Sequence, residues 1–154
     1  MRDVDVRRMM DNGAYSRRDA EGRLLGWWDE VVGDLVSRGY LTADEGHAAK
    51  LAVSDDPDLR RRPRNYAACY TSSGACEIHR DALSLPPEKL VAICLHELGH
   101  VLDRTGRYRD GLPSDDEQRA DAIAARAFGT TIAYDPRDMV QTLDAGLPRP
   151  RGLR

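Results

Sequence analysis

The chain lacks the features that mark several classes of protein. Its 154 residues include one Phe (Phe128), three Cys and two Trp, so with 41% hydrophobic and 32% charged residues the core must be lean. An odd number of cysteines describes no disulfide framework, and the absence of a C-x-x-C pair excludes a ribbon-type zinc site or a redox centre of that kind. Cys69 and Cys76 are spaced to face each other across a hairpin, but these two and Cys94 are expected to stay reduced. No long apolar run occurs: the longest, Leu90-Val91-Ala92-Ile93-Cys94-Leu95, is far short of the ~20 residues that span a bilayer. The start, Met1-Arg2-Asp3-Val4-Asp5-Val6-Arg7-Arg8, has no apolar signal core, so a cytoplasmic protein without a membrane partner is expected. The net charge is only −3, and basic and acidic residues balance closely on either side of Arg64. That leaves no field to draw in a polyanion, and direct nucleic-acid binding is not expected. Internal repeats and low-complexity segments are also missing. The length suits one domain.

What is present begins with helical patterning over residues 16 to 53. Ser16 with Asp19 resembles a capping box, and Leu24, Leu25, Trp28, Val31, Val32, Leu35 and Val36 follow a 3.6-residue stripe that ends at Gly39. Thr42 with Glu45 opens a second, shorter helix predicted to run through Ala48, Leu51 and Ala52. Residues 55 to 64 form a proline-broken linker, acidic and then basic. Asn65 to Thr71 and Ala75 to His79 read as a β-hairpin turning at Ser72-Ser73-Gly74. Pro86 and Pro87 lead into an apolar helix over about Glu88 to Asp103, and a glycine-bearing loop connects it to another helix from about Asp115 to Phe128. Asp135-Pro136 has the N-cap and first-turn proline of a last helix ending near Gly146.

The chemistry concentrates in His96-Glu97-Leu98-Gly99-His100. Residues four apart on a helix lie on one face, so both imidazoles can reach one tetrahedral ion at ~2.0–2.1 Å. Glu97 sits beside the pair, placed to take a proton from the attacking water. Leu98, Leu102, Val91, Cys94, Leu95 and Val101 form the core-facing stripe. Glycine inside a helix costs about 1 kcal/mol relative to alanine, so Gly99 implies a neighbouring element packed too close for a Cβ.

A second cluster, Glu117-Gln118-Arg119-Ala120-Asp121, places two carboxylates on a stripe shared with Ala124 and Phe128. That stripe turns inward, where unpaired carboxylates would cost several kcal/mol each. A metal resolves the cost, with Glu117 as the third ligand and Asp121 accepting the distal N–H of a ligand imidazole. Pairing with Arg119, Arg126 or Arg104 at the surface is the alternative. Asp103 lacks reach, Asp115 and Asp116 look like charges at a helix start, and His47 and His79 are lone histidines, with His79 a minor candidate for touching substrate.

These two motifs resemble those of gluzincin-type zincin metallopeptidases, H-E-x-x-H on one helix and E-x-x-x-D on a following one. The layout over about residues 65 to 130 is similar to the small ImmA/IrrE-like peptidases. Ala122-Ile123-Ala124 stands where that family has Phe-Ala directly after the aspartate. A metzincin pattern fails, because Asp103 and Gly106 occupy the positions of its glycine and third ligand. The resemblance implies an α+β fold: a mostly helical minimal zincin-like domain at residues 65–146 with a small two- or three-stranded antiparallel sheet. A helical prelude and basic linker at 1–64 precede it, and a flexible tail at 147–154 follows. It also implies Zn2+ on His96, His100 and Glu117, a protein or peptide substrate, and hydrolysis with Glu97 as general base. Ala75 to His79 would hold substrate as an added strand. Tyr108, Arg104, Arg107, Tyr134 and His79 are candidates for the oxyanion donor. Zinc is expected to leave as pH falls roughly below 6. Two other classes share some of these features: a peptidase delivered to another cell as a toxin or effector, and a non-catalytic module that zinc merely staples together. Glu97 speaks against the second, since a structural site has no use for a carboxylate there.

Overall fold

The computed structural model describes residues 17–61, 66–135, 137 and 140–143. The Ser16 cap and the tail at 147–154 lie outside the described residues. Helix α1, Arg17–Ser37, buries Leu24, Trp28, Val31, Val32 and Leu35 as the 3.6-residue stripe requires, and Trp27 joins them. The Trp28 indole N–H donates to Ala49 O at 2.8 Å. Gly39, at φ +81°, turns the chain. Helix α2, Ala43–Ala48, starts on the expected capping box: Glu45 N–H donates to Thr42 Oγ1 at 3.1 Å, and Thr42 N–H to Glu45 Oε1 at 2.8 Å.

The second helix stops sooner than its sequence suggests. Leu51–Ser54 is not helical but forms strand β1, which pairs in parallel with strand β3, Cys76–His79. Leu51-Ala52-Val53 is too short a run to show period, and the ladder offered by β3 decides its state. Asp58–Arg61 adds one helical turn, α3, within the linker. Strand β2, Ala67–Cys69, pairs antiparallel with β3, so the hairpin forms where expected. The sheet order is β1-β3-β2, and its pairing is mixed rather than purely antiparallel.

A 3-10 turn, Arg80–Ser84, leads to helix α4, Pro87–Asp103, with proline in its first turn. Helix α5, Asp116–Phe128, is capped by the Asp115 side chain, which accepts from Gln118 N–H at 2.9 Å, and ends at Gly129 with φ +64°. Among the described residues the predicted last helix does not form. Ile132–Asp135 (β4) and Val140–Leu143 (β5) form an antiparallel pair instead. Asp135 accepts from Arg137 N–H at 2.9 Å, the local bond of an Asx turn, so the residue expected to start a helix starts a reversal. The β-branched residues Ile132, Val140 and Thr142 favour the strands that flank it.

The result is a small α+β fold. One apolar cluster joins Leu24 and Trp28 of α1, Ile78 of β3, the apolar face of α4 and Phe128 of α5. The prelude is tied in by polar contacts too. Arg107 grips the Glu45 carboxylate at 2.6 and 3.0 Å, and the Tyr108 hydroxyl donates to Tyr40 O at 2.6 Å. Among the described residues, no helix is long and apolar enough to cross a membrane.

Candidate metal centre

Helices α4 and α5 approach unusually closely, and Gly99 is the reason. A Cβ at that position would lie 2.1 Å from the backbone oxygen of Ala120 and 2.8 Å from its carbonyl carbon. The expectation of a tight neighbour at Gly99 is met by α5. This approach brings Glu117, three residues before Ala120, and Asp121, directly after it, against the histidine face of α4.

His96 and His100 project from one face, their ring centroids 4.7 Å apart. Glu117 Oε2 lies 2.7 Å from His96 Nε2, and its Oε1 lies 3.4 Å from His100 Nε2. Asp121 Oδ1 lies 2.6 Å from the other nitrogen of His96, Nδ1. Asp121 thus lies behind the first histidine. One donor atom each from His96, His100 and Glu117 lies within 4.8 Å of the others, a group that could hold a metal ion.

Charge favours a cation here. With both ring nitrogens facing carboxylate oxygens, His96 satisfies them only by donating from both. Burial opposes that positive form, but the Asp121 and Glu117 hydrogen bonds outweigh it and push the His96 pKa up to about 10. Bonds to His100 and His96 hold the Glu117 carboxyl well below the ordinary carboxylate range. The cluster therefore draws positive charge between imidazole and carboxylate, and two nitrogen donors with one oxygen donor are a set that suits zinc.

Glu97 stands apart from this group. It is 6% exposed, and its Oε2 has no hydrogen-bond partner. Burial pushes its pKa up, and the neighbouring His96 and His100 moderate the rise. A buried carboxylate with one free oxygen is ready to accept a proton.

The three groups line a cleft of about 680 Å³ that runs along α4 from Ile93 to Arg104, with β2 on its wall. Two of the arginines expected to compete for the acids, Arg119 and Arg104, have other partners. Arg119 makes a two-pronged bond to Asp103 at 2.7 and 2.9 Å, and also reaches Asp116 and the carbonyls of Pro113 and Ser114. Asp103, further held by Arg109 at 3.0 Å, is thereby removed from the ligand set. Arg104 donates to the carbonyls of Thr71 and Ser72 at the hairpin turn.

Two substrate-contact expectations need correction. Strand β3, expected to receive substrate, is the central strand with both sides paired; the edge beside the cleft belongs to β2. His79 does not line the cleft; its Nδ1 accepts from Asp81 N–H at 3.0 Å and caps the 3-10 turn. Among the oxyanion candidates, Arg107 and Tyr108 point to the prelude and Tyr134 is not on the cleft wall, which leaves Arg104. Gln141 of β5, 7% exposed, lines the cleft and was missed because its segment was read as helix. Apolar Val140 and Leu143 stand three apart around it, a spacing that fits a helix as well as a strand, so the pattern gives no signal to find it. No protein-family model, no curated protein and no solved structure matches the chain.

Proposed function

We propose that the protein is a zinc-dependent peptidase of the gluzincin type, similar to the small ImmA/IrrE-like enzymes, acting on protein or peptide substrates in the cytoplasm. The observation that carries this is the buried Glu97 carboxylate, with one oxygen unpartnered, beside a His/His/Glu donor group in an open cleft. A site that only stapled the fold would need no such carboxylate.

His96, His100 and Glu117 would hold the ion. Bound zinc supplies Lewis acidity, polarising the scissile carbonyl and bringing the pKa of water toward ~7. Glu97 takes the proton of the attacking water on its free oxygen and returns it to the departing amine; its raised pKa suits both transfers. Asp121 fixes the ring of His96 through Nδ1, so that Nε2 faces the cleft. The edge of β2 offers backbone groups to an extended substrate, and Arg104 on the same wall offers a donor to the carbonyl oxygen.

The protein loaded with zinc is expected to create new N-termini in a mixture of denatured proteins. A chelator should stop this and added zinc restore it. Terminal labelling with identical patterns in chelated and loaded samples would refute hydrolysis.

Asp121→Asn is expected to weaken zinc binding by about 10–100-fold while leaving circular dichroism unchanged. An affinity equal to the parent's would remove Asp121 from the account. Proton competition sets the pH dependence. Because His96 stays protonated up to about 10 in the zinc-free cluster, zinc must displace a proton throughout the neutral range. Affinity should therefore fall as pH falls from well above 7, roughly tenfold per pH unit for each proton displaced, rather than only below about 6. Calorimetry in buffers of different ionisation enthalpy should detect the released protons; uptake without proton release would contradict the carboxylate-bound imidazolium.

A further inference from the structure

Strands β2 and β3 place Cys69 directly opposite Cys76. The backbone bonds around them belong to their neighbours: Tyr70 N–H donates to Ala75 O at 2.9 Å, and His79 N–H to Tyr66 O at 2.6 Å. Alternation from those two pairs makes Cys69 and Cys76 a non-hydrogen-bonded pair, with Cα atoms about 4.5 Å apart and side chains on one face. Disulfides accept Cα separations of about 4.4–6.8 Å, so the ladder already has the spacing without backbone movement. Both thiols are free. They differ in access: Cys76 is 1% exposed, whereas Cys69 is half-buried on the cleft wall. The Cys76 thiol points to Gly74 O at 4.0 Å, and its nearness to Cys69 favours thiolate on the more accessible member. Cys94, the remaining thiol, is buried on α4.

We infer that Cys69 and Cys76 are an oxidation site, in which the half-buried thiol on the cleft wall meets the oxidant and the fully buried one resolves it to a reversible disulfide. With hydrogen peroxide as oxidant, the Cys69 sulfur attacks one oxygen, the O–O bond breaks, and sulfenic acid and water form. The Cys76 sulfur then attacks the Cys69 sulfur, the S–O bond breaks, and the hydroxyl leaves with the Cys76 proton as a second water. The two thiols together lose two electrons, and one peroxide becomes two waters. A dithiol reductant reverses the bond. Closure ties the edge strand beside the cleft covalently to the centre of the sheet and removes a free thiol from the cleft wall. The inference stands apart from the zinc reading.

Trypsin places Cys69 and Cys76 together in the peptide of residues 65–80 and Cys94 in that of 90–104. The folded full chain, exposed to stoichiometric peroxide and then unfolded and alkylated, should give a 65–80 peptide lighter by two hydrogens and carrying no alkyl group. Dithiothreitol should restore two alkylation sites, and the 90–104 peptide should remain fully alkylated throughout. In Cys76→Ser, oxidation should stop at a Cys69 sulfenic acid that dimedone captures. A 65–80 peptide that still takes two alkyl groups, a cross-link to 90–104, or direct passage of Cys69 to sulfinate in the parent chain would each overturn the inference. The parent chain alone decides the matter if the serine variant does not fold.

Discussion

Glu97→Gln is expected to keep stoichiometric zinc and to lower peptide hydrolysis by about 10²–10⁴-fold. Glutamine has nearly the same shape as glutamate but takes no proton at neutral pH. Since Glu97 is outside the donor group of His96, His100 and Glu117, the ion should remain. Since its carboxylate is buried with an unpartnered oxygen, neutralising it removes a desolvation cost, and the melting temperature should hold or rise. Turnover at the parent rate would exclude Glu97 as general base. Loss of zinc together with activity would instead make it a ligand.

Gly99→Leu is the change expected to injure the fold most. The obstacle is backbone, not a yielding side chain: the first added carbon would lie 2.1 Å from Ala120 O. Helices α4 and α5 must separate, and overpacking of this kind costs about 3 kcal/mol or more. In a domain of this size that lowers Tm by about 6–12 °C. The separation also carries Glu117 away from the histidines, so zinc affinity should fall with stability. Gly26→Ala is the control. Gly26 lies in α1 with nothing within 4 Å of a built Cβ, and alanine there should add roughly 0.5–1 kcal/mol. A Gly99→Leu protein that melts with the parent and binds zinc as tightly would show that the helix approach does not build the site.

The donor group was legible in the sequence because local spacing alone positions it. His96 and His100 share a helix face by virtue of four residues' separation, and Glu117 and Asp121 do the same on an inward stripe. Only the close approach of the two helices is non-local, and Gly99 announced it. The capping box at Thr42 was legible for the same reason. Strands β1 and β5 were not, because short apolar runs have no period of their own: Leu51 takes its state from Cys76, far along the chain, and Val140 from Asp135 across a tight reversal. The misplaced substrate edge follows from that. With β1 read as helix, β3 had only one expected neighbour and looked free on its other side. Arg119 was legible as an alternative surface partner for Glu117 and Asp121, but not as the partner of Asp103, sixteen positions away.

X-ray absorption at the zinc edge of the reconstituted protein tests the centre directly. The account predicts a four-coordinate ion with only nitrogen and oxygen neighbours at ~2.0–2.1 Å, outer-shell scattering from two imidazoles, and loss of one imidazole in a His100→Ala sample. A sulfur shell at ~2.3 Å, which would move the ion to Cys69 or Cys76, or a spectrum unchanged by His100→Ala would contradict it.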